Sequence, residues 1–335
     1  MTPSTPDTSP VLTALPPRRR WREVLLAPAL FLAVAFGLIS LAMATGWEET
    51  LTQIAKLGWL QILVLFALSL VNYLLRGLRW HIFARRMNLR VSILQSLRHF
   101  LGGFAMSVTP GRLGELIRLR WIARECGGRP ERSAPLVLID RASDLAAMAI
   151  ILALSLSQSM GGHTIAAPVA AIALLLAIVV TRPKLLTGLI KATWKLIGRK
   201  PRFFARLRSM ARSLSLFTSA AVLLPTLSLG LLGWIAEGYA FWLLLDWFGA
   251  NVPFWKAVGI FTLATLAGGL TGAPGGVGGA EAAMIALLSL EGFGPGLSVP
   301  ATIIIRVTTL WFAIIIGLLI FPLAEKKSRK TQLNS

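Results

Sequence analysis

Residues 101–115 read Leu-Gly-Gly-Phe-Ala-Met-Ser-Val-Thr-Pro-Gly-Arg-Leu-Gly-Glu, and residues 266–281 read Leu-Ala-Gly-Gly-Leu-Thr-Gly-Ala-Pro-Gly-Gly-Val-Gly-Gly-Ala-Glu. Each copy passes from a short apolar helix through Pro-Gly-x-(Leu/Val)-Gly to a glutamate that opens another helix. An arginine follows inside the next apolar run: Arg141 lies 26 positions after Glu115, and Arg306 lies 25 after Glu281. Gly-rich strings recur by chance in apolar sequences. The shared order of Gly-Gly, Pro-Gly, Glu and a buried Arg is harder to reach by accident, and it marks an internal repeat.

The surrounding composition says what kind of molecule carries the repeat. The chain has 335 residues, is 55% hydrophobic and only 14% charged, with a mean hydropathy of +0.71. A soluble domain carries about a quarter charged residues, so this chain lacks the polar surface to face water all round. Several apolar runs exceed 18 residues, which predicts an all-α polytopic membrane protein and excludes a secreted domain, a cytosolic enzyme or a coiled coil. Cys126 is the single cysteine, so neither an internal disulfide nor a zinc cluster is expected.

Six spans are predicted, at about 24–46, 59–80, 134–157, 164–181, 220–249 and 298–321. Ala42-Met-Ala44 resembles a signal-peptidase site, but the first run is long enough to span and is read as an uncleaved anchor. Four segments, 91–108, 112–125, 257–271 and 280–290, are too short or too polar to cross, and they flank the Pro/Gly breaks. Paired short helices around a break fit two re-entrant hairpins. The expected organisation is a disordered basic tail over 1–22, one membrane domain over 23–324 and a tail over 325–335. The repeat halves are about 59–157 and 219–321, joined by a basic segment over 182–218.

The basic residues orient this layout. Four precede the first span, twelve fall in 76–132, ten in 182–212 and four in 326–330. All lie on one side if six helices span and both hairpins return to their starting face. The other side keeps Lys56 and Lys256 beside Glu48, Glu49, Asp246 and Glu291. The positive-inside rule then puts both termini in the cytoplasm, in a bacterial-type plasma (inner) membrane. The net charge of +20 therefore does not imply nucleic acid. The ten basic residues of 182–212 alternate with Leu185, Leu189, Trp194 and Leu196, a pattern expected of an amphipathic segment on anionic lipid.

With this topology the two motif copies approach from opposite faces. Inverted repeats with broken helices characterise transporters that work by alternating access. Where Pro110-Gly111 and Pro274-Gly275 end one helix, the next starts with unpaired N–H groups and a positive dipole end, a natural anion site. Gly114, Gly276 and Gly278 let a headgroup approach the backbone. Arg112 and Arg118 lie near the first start, and Arg141 and Arg306 are supplied by the spans. The alternative is structural: the glycines serve tight packing, Arg141 pairs with Asp144 and Arg306 with Glu281. Because intramembrane charge is expensive, a function is favoured for Arg141 and Arg306.

Asp140 and Asp144 share a helix face, and two carboxylates so placed resist double ionisation. One holding a proton would suit coupled transport; a salt-bridged helix end is the competing reading. Glu237 and Asp246 line a cavity or face the interface, and Asn72 with Arg76, four apart, are candidates for a polar cavity. His81, His99 and His163 have no ligand spacing, so no metal is expected. The tryptophans sit near span ends as interfacial anchors.

At Val108-Thr-Pro-Gly-Arg-Leu-Gly-Glu115, Ile139-Asp-Arg-Ala-Ser-Asp144 and Pro274-Gly-Gly-Val-Gly-Gly-Ala-Glu281 with Arg306, the sequence resembles the transmembrane region of bacterial lysylphosphatidylglycerol synthetases. The resemblance covers most of the chain, from about residue 25 to 323. The family commonly shows Glu-Arg-x-x-Asp where Asp140 stands here, and an Arg before the glutamate where Gly279-Ala280 precede Glu281. It implies a stand-alone relative of the flippase half of enzymes that aminoacylate phosphatidylglycerol, without a soluble aminoacyl-transferase domain.

The leading expectation is a lipid translocase whose ligands are membrane lipids with anionic or lipid-linked headgroups. Two alternatives stand beside it. One is an integral-membrane transferase acting on a lipid phosphate, with Asp140, Asp144 and Glu281 as its only candidate bases. The other is a non-catalytic subunit that docks a lipid-biosynthesis enzyme through 182–218 or the tails. No nucleotide-binding loop or cofactor motif occurs, so neither enzyme activity nor a cofactor is expected.

Overall fold

The computed structural model describes residues 52–107, 109, 116–128, 130–158, 168, 171–172, 175, 182–197, 208 and 213–333. The predicted span at 24–46 and most of that at 164–181 lie outside them, as do Pro110, Gly111, Arg112, Gly114 and Glu115. Every regular element among the described residues is helical. In order these are α1 (Trp59–Arg86), α2 (Ile93–Gly102), a 3-10 turn (Gly103–Met106), α3 (Ile117–Cys126), α4 (Pro130–Gln158) and α5 (Pro183–Ile197). After a 3-10 turn at Leu214–Phe217 come α6 (Ala220–Trp247), α7 (Phe254–Leu270), a turn at Pro274–Gly276, α8 (Gly279–Leu290) and α9 (Pro295–Arg306). A π-helical turn (Val307–Trp311) leads into α10 (Phe312–Leu333).

Among the described residues, three helices are long and apolar enough to cross a membrane: α1, α6 and the continuous rod Pro295–Gln332 formed by α9, the π turn and α10. α4 has 29 residues but carries Asp140, Arg141 and Asp144. At 1.5 Å per residue, the 12 residues of α8 reach only about 18 Å, well short of a hydrocarbon core of about 30 Å.

α1 displays the logic of the whole molecule. Leu60, Leu63, Leu70, Val71 and Leu74 point outward and are exposed. Ser69, Asn72, Arg76 and Arg79 repeat at helical spacing along the opposite side and are buried. Apolar residues outside and polar residues inside is the pattern of a helix that faces lipid and keeps its hydrogen-bonding groups for its neighbours. The same inversion holds on the rod, where Ile315, Leu318 and Leu319 are exposed while Thr302, Arg306 and Thr309 are buried.

The order long helix, short helix, short helix, long helix occurs twice, as α1 to α4 and as α6 to α10, with a turn at Pro274–Gly276 between the short helices of the second. α1 and α6 have 28 residues each. Both end with the same closure, in which Leu89 N–H bonds Ala84 O at 3.1 Å and Ala250 N–H bonds Leu245 O at 2.9 Å. These two helices pack on one another. They meet at Gly233, where even a Cβ would be in van der Waals contact with Asn72 at 3.6 Å, and Asn72 Nδ2 donates to the Gly233 carbonyl at 3.0 Å.

The short helices start and stop for local reasons. Ser92 and Gln95 form a reciprocal cap that opens α2, with Gln95 N–H to Ser92 Oγ at 3.2 Å and Ser92 N–H to Gln95 Oε1 at 2.7 Å. α7 and α8 fold back as a helical hairpin. Their contact is closest at Gly268, where a Cβ would meet the Ala280 Cβ at 2.6 Å and the Gly276 carbonyl oxygen at 2.8 Å. α3 is tied to α10 by Glu325, which accepts from Trp121 Nε1 at 2.8 Å and Arg124 Nη1 at 2.9 Å.

One apolar core gathers Ile151, Phe241, Leu244, Phe261, Met284 and Leu288 from α4 and α6–α8. A second gathers Trp80, Phe83, Phe100, Ile122, Leu136 and Phe217. Two helices continue past the predicted spans on exposed charged residues: α1 runs beyond residue 80 to Arg86, and α10 carries the basic tail in helical form to Leu333. Arg76, Arg79 and Arg118 are buried, so three of the twelve basic residues assigned to 76–132 are interior groups rather than loop charges.

Candidate functional site

Two aspartates on α4 meet two arginines from α1. Arg79, with no exposed surface, reaches both: its Nη2 lies 2.5 Å from Asp140 Oδ1 and 2.7 Å from Asp144 Oδ1. Arg76 Nη2 takes Asp144 Oδ2 at 2.7 Å. Arg141 Nη2 closes the remaining Asp140 oxygen at 3.0 Å, and Trp234 Nε1 from α6 donates to Asp144 Oδ1 at 3.2 Å. All four carboxylate oxygens are engaged, and three guanidinium groups offset the repulsion between the two acids. The Arg76 guanidinium also lies 5.0 Å from the Trp234 ring centre and 5.6 Å from that of Phe100, which helps to hold a cation away from water.

The second copy of the motif is built differently. Gly275, Gly276 and Gly278 have φ of +62°, +69° and +82°, a run of left-handed backbone that side chains with a Cβ adopt only with strain. This path aims the Gly275 carbonyl at Arg306, whose Nη2 donates to it at 3.0 Å. Arg306 Nε pairs with Glu281 Oε1 at 2.6 Å, and Glu281 sits in the first turn of α8, where a carboxylate suits the helix dipole. The half-helix start that the sequence offered to an external anion is thus compensated by the chain's own glutamate.

Between the two clusters lies a cavity of about 50 Å³. Its walls include Tyr73 and Arg76 from α1, Trp234 and Glu237 from α6, Arg306, and Thr309 in the π turn. Tyr73 OH donates to the Thr309 carbonyl, joining the first half of the molecule to the irregular turn of the second; π turns of this kind occur often at functional sites. Arg76 from α1 and Arg306 from α9 therefore share this space with Glu237, which is opposite in charge. At about 10–15 Å³ per water position it has room for a few waters, far below the roughly 300 Å³ or more of a pocket for an organic ligand.

The residues singled out by sequence divide accordingly. Arg306, Glu281, Gly275, Gly276 and Gly278 come together, with the Pro274 backbone in the same turn. Asp140, Arg141 and Asp144 come together on α4, with Arg141 at the edge of its network, its side chain 32% exposed. Arg118 stands apart from the cavity, buried with its guanidinium 4.5 Å from the Phe100 ring centre and 5.6 Å from that of Trp80. Glu237 lines the cavity, whereas Asp246 faces outward. Pro110, Gly111, Arg112, Gly114 and Glu115 lie outside the described residues. Arg79, the most connected cation, was not singled out; its signal was the spacing Arg76–Arg79 beside Asp140–Asp144, two charge pairs at helical intervals on adjacent helices.

Comparison with known proteins adds three findings. A family model described as lysylphosphatidylglycerol synthase TM region matches residues 25–317. A UPF0104 membrane protein of Methanothermobacter thermautotrophicus is 26% identical over 316 residues, which cover 86% of this chain and 94% of that protein. The inner membrane protein YbhN of Escherichia coli K12 is 29% identical over 97 residues, covering 29% of this chain and 30% of that protein.

Proposed function

The chain belongs to the lysylphosphatidylglycerol synthase TM region family, and from that premise we propose that this integral membrane protein is a translocase for lipids with an anionic or lipid-linked headgroup. The observation that carries the proposal is the shared cavity. Arg76 and Arg306, one from each repeat half, line it together, and guanidinium groups are suited to phosphate recognition. A headgroup entering there would exchange contacts with Glu281 and Glu237, while its tails remain in the bilayer.

The cavity is too small for a headgroup as it stands, so the two halves must rock apart to admit one. α1 and α6, the paired helices at the contact between halves, are the natural axis of that motion, and the Tyr73–Thr309 bond is the contact it would break. In this proposal six helices span, the α2–α3 and α7–α8 pairs are re-entrant from opposite faces, and both termini are in the cytoplasm of a bacterial-type inner membrane. Cysteine accessibility from the two sides tests that layout directly.

The test of function is reconstitution. Liposomes carrying tail-labelled phosphatidylglycerol are treated with a membrane-impermeant reductant that bleaches only the outer leaflet. With wild-type protein the bleached fraction is expected to rise from about half toward completion, and more slowly for a zwitterionic label. Bleaching that stops at the level of protein-free liposomes for every anionic headgroup tried would overturn the proposal.

A further inference from the structure

α5 joins two parts of the membrane domain and presents three distinct sides. Lys184, Lys191 and Lys195 fall within about 40° of one another around the helix axis, and all three are exposed. About 120° away, Leu185 and Leu189 are also exposed, at 50% and 52%, and Trp194 is 40% exposed at the other border of the lysine stripe. Leu186, on the remaining side, packs against the second apolar core, and Ile190, one turn on, shares its side and is partly buried. No acidic residue occurs anywhere in 182–212.

A helix on a water-facing surface buries its leucines and shows its lysines; α5 shows both. The two exposures call for one environment that is apolar on one flank and anionic on the next, which is the boundary between acyl chains and headgroups. Nucleic acid or an acidic protein would satisfy the lysines and leave Leu185, Leu189 and Trp194 in water. We propose that α5 is an in-plane membrane helix that binds anionic phospholipid through Lys184, Lys191 and Lys195, with Leu185, Leu189 and Trp194 entering the acyl boundary. Leu186 anchors it to the core that contains Trp80 and Phe100, so anionic lipid is gathered beside the charged helices α1 and α4. The inference depends on α5 alone and stands whether or not the protein moves lipid.

The experiment uses the full chain in nanodiscs of phosphatidylcholine or of equal parts phosphatidylcholine and phosphatidylglycerol. In a Cys126→Ser background, Leu189→Cys carries an environment-sensitive dye, and spin-labelled acyl chains serve as quencher; Leu185→Cys is a second site should the first fail to fold. The dye is expected to shift to the blue and be quenched in the anionic discs, and much less in phosphatidylcholine. High salt, or K184Q/K191Q/K195Q, should remove the difference, corresponding to about a 100-fold weaker partition for three lysine charges. Absence of quenching in anionic discs, equal quenching in both lipids, an unchanged triple variant, or a response to added RNA in place of lipid would each overturn the proposal.

Discussion

The two charged clusters answer the same sequence pattern in opposite ways. On α1 and α4, three arginines and two aspartates form a closed network in which every carboxylate oxygen has a partner. On α8 and α9, one arginine meets one glutamate, and Glu281 Oε2 is buried without a hydrogen-bond partner among the described residues. Arg141, the counterpart of Arg306 by motif position, is 32% exposed at its side chain, against 7% for Arg306. Two carboxylates with every oxygen engaged resist exchange and act as a staple between helices. A single pair on a cavity wall, with acceptor capacity left over, is poised to trade partners.

The largest expected effect lies in the staple. Arg79→Leu leaves Asp140 and Asp144 short of their central cation in a buried site, and breaking such an arrangement costs about 3–5 kcal/mol. Loss of monodisperse protein or a steep fall in Tm in detergent is expected; an unchanged Tm would break the contrast between the clusters. Next, Arg306→Gln alone should destabilise by roughly 3 kcal/mol because Glu281 stays buried and charged. Adding Glu281→Gln should recover most of that loss, since the uncompensated charge is gone. A double-mutant cycle on Tm checks the coupling.

A smaller effect is expected from packing. Gly268→Ala drives a methyl into Ala280 and the Gly276 carbonyl, and overpacking of this kind costs about 1–3 kcal/mol. The smallest concerns Glu125 at the end of α3. Burial opposes its charge, but its contact with His99 at 3.2 Å and its pair with Arg98 at 2.5 Å outweigh that and hold its pKa below the ordinary glutamate value. A lowered acid stabilises the fold above its unfolded pKa of about 4.3, and the contribution is lost as pH falls through the folded value. Wild type and Glu125→Gln should thus differ in Tm at neutral pH and converge in acid; a constant gap would remove Glu125 from the α2–α3 contact.

Much of the fold was legible because Pro and Gly act on the backbone directly. The breaks near Pro110 and Pro274 placed α2, α7 and α8 within a few residues, and the glutamate after the second break identified the start of α8. Hydropathy misplaced two charges for a physical reason. It treats Arg76 and Arg79 as charges seeking water, whereas Asp140 and Asp144, about 60 positions away in sequence, neutralise them inside the bundle. The same blindness extends to the cavity. Arg306, Glu237 and Arg76 were visible as isolated charges, but Tyr73, Trp234 and Thr309 carry no motif, and only packing places them on one wall. The Glu281–Arg306 pair, one of two roles open to Arg306 from sequence, is formed, and that is why a single substitution there mixes stability with function.

Lipid movement by the E281Q/R306Q double variant tests the central claim most directly, since it removes the Arg306 charge from the cavity wall without leaving Glu281 buried alone. In liposomes, with Tm close to wild type, its rate of labelled phosphatidylglycerol movement is predicted to drop to that of protein-free vesicles. A folded double variant that moves the lipid at the wild-type rate would contradict the account.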